Sequence, residues 1–181
     1  GEETLLPASE YAGEIWDLLD NAGALAEMVL PTGLRGMDAP LDGGLELTTA
    51  TVLMARPSMG KTAALVQIAD YLSERGKVVA VFSKETAGIK WGIRHICRRA
   101  RVSWRDYKAG QVSDEQRRNL SAALDEYRER GQAGRLFVDD TTTQTTDDVY
   151  LQCDRLAQRQ GRLDLVIADH LRLFADRADN E

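Results

Sequence analysis

Apolar and polar residues follow one another along this chain in blocks that predict strands and helices in turn. Short apolar runs typical of buried strands lie at 51–54, 78–82, 135–138 and 165–168. Apolar residues at helical spacing predict helices over 62–75, 88–101, 113–130 and 146–159. The third helix opens with a capping box, Ser113 with Gln116. Strands that alternate with helices predict an α/β fold, with a parallel sheet covered by helices on both faces.

The first thirty residues carry a separate amphipathic pattern. Residues 10–29 predict one helix whose apolar stripe is formed by Ile15, Leu18, Leu19, Ala22, Leu25, Ala26 and Val29. Pro31-Thr32-Gly33 ends it, and a glycine-rich turn, Asp42-Gly43-Gly44, precedes the strand at 51–54. We therefore expect an arm, residues 1–30, and a domain, residues 31–181. The stripe packs either on its own domain or on a neighbouring subunit.

A glycine-containing segment between the strand at 51–54 and the following helix matches a phosphate-binding loop. Gly60 allows the tight turn that points main-chain N–H groups at an anion, Lys61 would reach the β- and γ-phosphates, and Thr62 would bind Mg²⁺. The implied ligands are a nucleoside triphosphate and Mg²⁺. The alternative is a chance Gly-Lys-Thr at a helix start. The candidate nucleotide-binding residues are Arg56, Pro57, Ser58, Met59, Gly60, Lys61 and Thr62, preceded by Ala55 where a glycine is usual.

Two carboxylates follow predicted strands at the carboxyl edge of the sheet, where ligands bind in open α/β folds. Asp169 follows the strand at 165–168 and is expected to hold Mg²⁺ through water, opposite Thr62. Glu85 follows the strand at 78–82 and could orient and deprotonate a water that attacks the γ-phosphate. A solvated surface charge is the alternative for each.

The composition narrows the classes of function. The 181 residues, 43% of them hydrophobic, suffice for one domain and an arm. The net charge of −6 argues against an extensive nucleic-acid surface, so any DNA contact would be local or lie outside this chain. No long apolar run is seen, so we expect a soluble protein without membrane contact. Cys97 and Cys153 lie in apolar helical patterns typical of core packing rather than of disulfides, so we expect a cytoplasmic location.

Four ordered motifs of the chain resemble those of the DnaB-type replicative DNA helicases. They lie at 55–62, 82–85 (Phe-Ser-Lys-Glu), 138–141 (Val-Asp-Asp-Thr) and 167–173 (Ile-Ala-Asp-His-Leu-Arg-Leu), and the resemblance begins near Leu30. It implies a RecA-like P-loop ATPase domain in which Glu85 and Lys61 are catalytic and Asp169 is the Walker B aspartate. It also implies ATP and Mg²⁺ as cofactors, a homohexamer, and an arm that is the linker helix packing on the adjacent subunit.

The chain departs from the family pattern around both carboxylates. Lys84 and Thr86 replace the usual Leu and Met beside the catalytic glutamate, and His170 and Arg172 replace the usual Tyr and Gln after the Walker B aspartate. Lys84 either pairs with Glu85 and restrains it or points to solvent. His170 is expected to be a packed neighbour rather than a base.

The sequence also stops twelve residues after Asp169. The family's next strand, DNA-binding loops and arginine finger follow that point. We therefore expect the sheet of this chain to lack a central strand, between the phosphate-loop strand and the Asp169 strand. Single-stranded DNA would bind mostly outside this chain, and the chain alone would hydrolyse ATP negligibly.

Two other functions agree with the same residues. One is a RecA-like ATPase of the KaiC or RadA kind, acting in recombination or regulation. The other is a non-hydrolysing nucleotide-binding assembly module. Lys84, His170 and the missing finger would be compatible with such a module.

A run of arginines has three possible roles: it contacts phosphate, contacts a neighbouring subunit or forms a solvated helix face. Its members are Arg94, Arg98, Arg99, Arg101 and Arg105.

Overall fold

The computed structural model describes residues 7–56 and 58–170, except for the side chains of Ala22, Leu25 and Ala26. Contacts divide the chain into two units, one ending at Val52 and the other beginning at Leu53. Each unit has its own sheet. The arm boundary after residue 30 stays a prediction.

The first unit begins with helical turns. A 3₁₀ turn, Ala8–Tyr11, precedes α1, Ala12–Asp20, and α2, Ala22–Glu27. The prediction of one helix over 10–29 is wrong at Asn21, whose φ of −117° and ψ of 73° are not helical. The asparagine side chain competes with the helix by hydrogen-bonding to nearby main-chain groups in non-helical conformations. Gly23, two residues later, also has a low helix propensity. The apolar side chains of Ile15, Trp16 and Leu19 are 52%, 68% and 64% exposed.

A small antiparallel ladder closes this unit. Strand β1, Val29–Leu30, pairs with β2, Leu45–Glu46, and α3, Arg35–Asp38, with a 3₁₀ turn, Ala39–Leu41, lies between them. The Asp38 carboxylate fixes the turn after β1 by accepting hydrogen bonds from Thr32 N at 2.8 Å, Thr32 Oγ1 at 2.6 Å and Gly33 N at 3.1 Å. A Cβ at Gly44 would lie 2.4 Å from the main-chain oxygen of Leu30, so the close approach of β2 to β1 requires glycine there.

The second unit contains the predicted parallel sheet. Its strands are β3, Val79–Ser83, β4, Leu136–Asp139, and β5, Leu165–Asp169, in the order β4-β3-β5. Its helices are α4, Lys61–Glu74, α5, Gly88–Arg99, α6, Trp104–Lys108, α7, Asp114–Gln132, and α8, Thr146–Gln160. The pattern predicted all of these except α6, and the capping box of Ser113 and Gln116 is confirmed. Within the described residues, no helix is long and apolar enough to cross a membrane.

Strand β3 is the centre of this sheet and is buried along its whole length. Ala80 and Phe82 pack with Leu156 of α8. Val79 and Val81 point to the other face, because side chains alternate along a strand, and α4 packs against β3 and β5. Helices therefore cover both faces, as predicted.

The strand predicted at 51–54 is not formed. These residues have no regular structure, and Val52 and Met54 are 66% and 87% exposed. A strand is held by hydrogen bonds to a neighbour, and the strand that the family resemblance places between 51–54 and β5 is not among the described residues. An apolar run without a ladder partner therefore stays irregular.

The two cysteines are free thiols within the packed interior. Cys97 is buried in α5, and Cys153 of α8 packs against the cluster of Ala80, Phe82 and Leu156. Burial raises the pKa of both thiols. Their predicted role in core packing is confirmed.

Helix α5 buries a polar face as well as an apolar one. The apolar spacing over 88–101 predicts a buried Ile89, but Ile89 is 76% exposed, whereas His95 is fully buried. The His95 ring lies 4.9 Å from the ring of Tyr127 in α7, and its Nε2 lies 3.5 Å from Asp70 Oδ1 in α4. Asp70 is also fully buried and forms ion pairs with Arg98 of α5 and Arg130 of α7. One carboxylate thus connects three helices.

Burial of His95, followed by the charges of Arg130 and Arg99, lowers its pKa to about 3. Asp70 does not reverse this shift, because two arginines already balance its charge. We expect the neutral ring to make folding dependent on pH. Below pH ~6.5 the unfolded chain takes up a proton at this position and the folded chain does not, so stability falls as the pH drops towards 3.

The variant His95→Gln, which has no titrating group, should lose less stability on acidification. By pH ~4.5 the histidine should account for roughly 2 to 3 kcal/mol of the wild-type decrease in the free energy of unfolding. Urea unfolding of both proteins followed by circular dichroism between pH 7.5 and 4.5 measures this difference. Parallel pH profiles for the two proteins would contradict it, whatever their stabilities at neutral pH.

Candidate active site

The glycine-containing loop turns directly into helix α4. Gly60 is the residue before the helix and has a φ of 90°, a conformation that glycine adopts without strain, and Ser58 has a φ of 65°. Met59 N donates to the main-chain oxygen of Arg56 at 3.2 Å, and Ala64 N donates to that of Gly60 at 2.9 Å. Pro57 lies outside the described residues. The open N-terminus of α4 presents N–H groups that could bind an anion.

Lys61 and Thr62, on the first turn of α4, both contact Asp169 at the end of β5. Lys61 Nζ lies 2.8 Å from Asp169 Oδ1, an ion pair without the alignment of a hydrogen bond, and Thr62 Oγ1 donates to Asp169 Oδ2 at 3.1 Å. The Asp169 side chain is fully buried, and that of Lys61 is 25% exposed. The sequence placed these three residues in one site, and the fold brings them together.

The oxygen atoms of this site suit Mg²⁺. Thr62 offers a hydroxyl and Asp169 offers a carboxylate, and Mg²⁺ in nucleotide sites uses one or two protein oxygens, waters and substrate phosphates. The described residues contain no group of three or more His, Cys, Asp or Glu side chains that could hold a metal ion. Asp169 Oδ1 accepts no hydrogen bond although it is buried, so it can accept one from a metal-bound water.

Glu85 lies at the same sheet edge as Asp169. The register pairs Ser83 of β3 with Asp169 of β5, and Glu85 follows Ser83 by two residues. Its side chain is 55% exposed and its Oε2 lies 3.2 Å from Nε2 of His170. His170, which directly follows Asp169 and has a φ of 76°, therefore contacts the candidate base.

Lys84 does not simply point to solvent, one of the two orientations predicted for it. Its Nζ donates to the main-chain oxygen of Gln144, in the loop between β4 and α8. Thr86 N donates to Ser83 Oγ at 3.3 Å, and Gly88 N at the start of α5 donates to Asp140 Oδ2 at 2.8 Å. The segment around Glu85 is thus hydrogen-bonded on both sides.

Sequence reasoning missed the part played by Asp140 and Gln144. The Val-Asp-Asp-Thr motif was recognised without a role for either aspartate. Asp139 Oδ1 accepts a hydrogen bond from Thr141 N at 2.8 Å, the local turn that an aspartate two residues before a threonine favours. That signal could have predicted a structured loop opposite the Glu85 segment.

The arginine run divides into paired and exposed members. Arg99 contacts Glu126 at 2.6 Å and Glu74 at 3.3 Å, and Arg98 contacts the buried Asp70. These two arginines therefore join helices. Arg94, Arg101 and Arg105 are exposed, in line with a solvated face. Arg172, the other departure after Asp169, lies outside the described residues.

Fold and site together define a parallel α/β domain of the P-loop type, with a lysine, a threonine and an aspartate brought together at one sheet edge. A family model for the DnaB-like helicase C-terminal domain matches residues 29–181. The chain therefore belongs to the DnaB-like helicase C-terminal domain family.

Individual relatives agree with this assignment. The replicative DNA helicase DnaB of Geobacillus stearothermophilus is 28% identical over 146 residues, which are 80% of this chain and 31% of that protein. The DnaB of Nostoc sp. is 31% identical over 153 residues, 83% of this chain and 17% of that protein. The chain thus spans less than a third of the length of these relatives. They are replicative helicases, so the DnaB interpretation is confirmed over the KaiC or RadA type.

Solved structures show the same fold. A structure of a DnaB-like replicative helicase, described with its interactions with primase, superposes with a TM-score of 0.82 at 20% identity, covering 100% of this chain and 43% of that one. The ATPase domain of G40P superposes with a TM-score of 0.75 at 19% identity, covering 94% of this chain and 60% of that one. The predicted RecA-like fold is confirmed.

Proposed function

We propose that this chain is the nucleotide-binding part of a DnaB-type replicative helicase motor, which couples ATP hydrolysis to DNA unwinding in the complete protein. The observation that carries the proposal is the contact of Lys61 and Thr62 with the buried Asp169. This arrangement puts a cation, a hydroxyl and a carboxylate at the N-terminus of one helix, where phosphate and Mg²⁺ are bound in P-loop enzymes.

Each site residue has a distinct role in the proposal. Main-chain N–H groups of the loop from Arg56 to Thr62 bind the phosphates, and Lys61 exchanges its contact with Asp169 for the β- and γ-phosphates. Thr62 and Asp169 would hold Mg²⁺, which would supply positive charge that neutralises the phosphates. Glu85 accepts the proton of the attacking water.

Loss of the Lys61 ammonium should abolish Mg·ATP binding, because it removes the charge that balances the β- and γ-phosphates. Isothermal titration of Mg·ATP into the full-length protein and its Lys61→Ala variant measures this effect. The matched control is Lys77→Ala, because Lys77 faces Asp164, 3.7 Å away, rather than the site. Equal affinities of wild type and Lys61→Ala would remove the phosphate-loop assignment.

Replacing Glu85 with glutamine should preserve nucleotide binding and lower turnover by about a hundredfold or more, because an amide cannot take the proton of the attacking water. Steady-state hydrolysis and ATP binding by the full-length protein, measured side by side, separate the two effects. Glu115→Gln, in the exposed first turn of α7, serves as control. An unchanged rate would make Glu85 an ordinary surface charge.

We also propose that the arm docks on another copy of the chain and supports a homohexamer. Ile15, Trp16 and Leu19 leave apolar surface exposed on α1, and such a face is stabilised by a partner. Replacing all three with serine should convert hexamers to smaller species in light scattering of the full-length protein. The control replaces Glu14, Asp17 and Asp20 with serine on the same helix. An unchanged hexamer would contradict this role.

A further inference from the structure

We propose that Lys84 is a positioning residue for Glu85: its ammonium fastens the turn that carries Glu85 to the loop between β4 and α8. The inference rests on the proposed role of Glu85 as the base. Lys84 acts on the main chain immediately before the carboxylate.

The turn after β3 is held at three points that flank Glu85. On one side, Lys84 Nζ donates to the main-chain oxygen of Gln144. On the other, Thr86 N donates to Ser83 Oγ at 3.3 Å, and Gly88 N donates to Asp140 Oδ2 at 2.8 Å. Two of the three points bind the turn to the loop of residues 140–144, so this loop sets where the Glu85 main chain lies.

The loop is itself firmly built. Gln144 is buried, at 7% exposure, and its Nε2 donates to Asp139 Oδ2 at 2.6 Å. Although partial burial raises the pKa of Asp139, hydrogen bonds from Thr141, Gln144 and Gln152 outweigh it and lower this pKa below its usual range. Asp139 is the last residue of β4, opposite Phe82 in β3. The anchor for Lys84 is therefore tied to the central strand of the sheet.

The electrostatic surroundings favour an ammonium at this position. Helix α8 begins with a capping box in which Thr145 and Asp148 exchange hydrogen bonds. These bonds from Thr145 and, to a lesser extent, the positive charge of Lys84 lower the pKa of the Asp148 carboxyl. The ammonium thus has a carbonyl oxygen as acceptor and a carboxylate nearby. The leucine that is usual in the family at this position could make neither contact.

The consequence for catalysis follows from geometry. A general base must lie within hydrogen-bonding distance of the attacking water, and a displacement of about 1 Å can lower a rate severely. Removing the ammonium releases one of the two sides that hold the Glu85 turn. Chemistry should slow, while ATP binding at Lys61 and Thr62 should persist, because Asp169 holds both of these residues.

The test compares Lys84→Met with Lys84→Arg in the full-length protein. Methionine keeps most of the aliphatic stem and removes the donor, and arginine keeps a cationic donor. We expect Lys84→Met to lower kcat for ATP hydrolysis by about tenfold with KM within twofold of wild type, and Lys84→Arg to recover most of the loss. A fall in ATP affinity in place of kcat would overturn the positioning role, and so would wild-type kinetics of Lys84→Met.

A double-mutant cycle with Glu85→Gln separates this role from a structural one. If Lys84 acts through Glu85, Lys84→Met should leave the residual rate of Glu85→Gln unchanged. A further tenfold decrease in that background would overturn the inference. Should Lys84→Met fail to fold by circular dichroism, Lys84→Leu, which also lacks a donor, replaces it under the same expectations. Full activity of Glu85→Gln would instead refute the proposed function, whatever Lys84 does.

Discussion

A fully buried carboxylate, that of Asp169, ties the end of strand β5 to the first turn of helix α4. Ionised groups are buried only when charge and hydrogen bonds compensate them, and removing one partner of such a pair costs on the order of 3 to 5 kcal/mol. Lys61 and Thr62 supply that compensation. The same contact holds the helix N-terminus at the sheet edge, where the candidate phosphate site lies.

A second buried carboxylate acts two turns further along α4. Asp70 contacts Arg98 of α5 and Arg130 of α7, with the neutral ring of His95 beside it. Helix α4 is therefore fixed at its start to the sheet and in its second half to two other helices. Because α5 begins just after Glu85, the helix that carries Lys61 and the segment that carries Glu85 belong to one packed unit.

The sequence predicted what depends on local pattern. The apolar runs of β3, β4 and β5 and the spacing of α4, α5, α7 and α8 gave the parallel α/β fold, and strand ends brought Glu85 and Asp169 to one edge. The prediction of a strand at 51–54 was wrong because a strand also needs a neighbouring strand to hydrogen-bond with, which its own apolar pattern does not reveal. Asp70 and His95 were invisible because a polar residue on a helix is ordinarily solvent-exposed, and only packing of three helices reveals a buried ion pair.

The residues around Glu85 that depart from the family pattern make specific contacts in this chain. Lys84 finds an acceptor at Gln144 because the loop after β4 is held in place by Asp139. His170 reaches Glu85 because a φ of 76° turns the chain at the end of β5. A polar residue beside a carboxylate can restrain it or orient it, and here the lysine bonds to the neighbouring loop. The lysine at this position therefore constrains the main chain that carries Glu85.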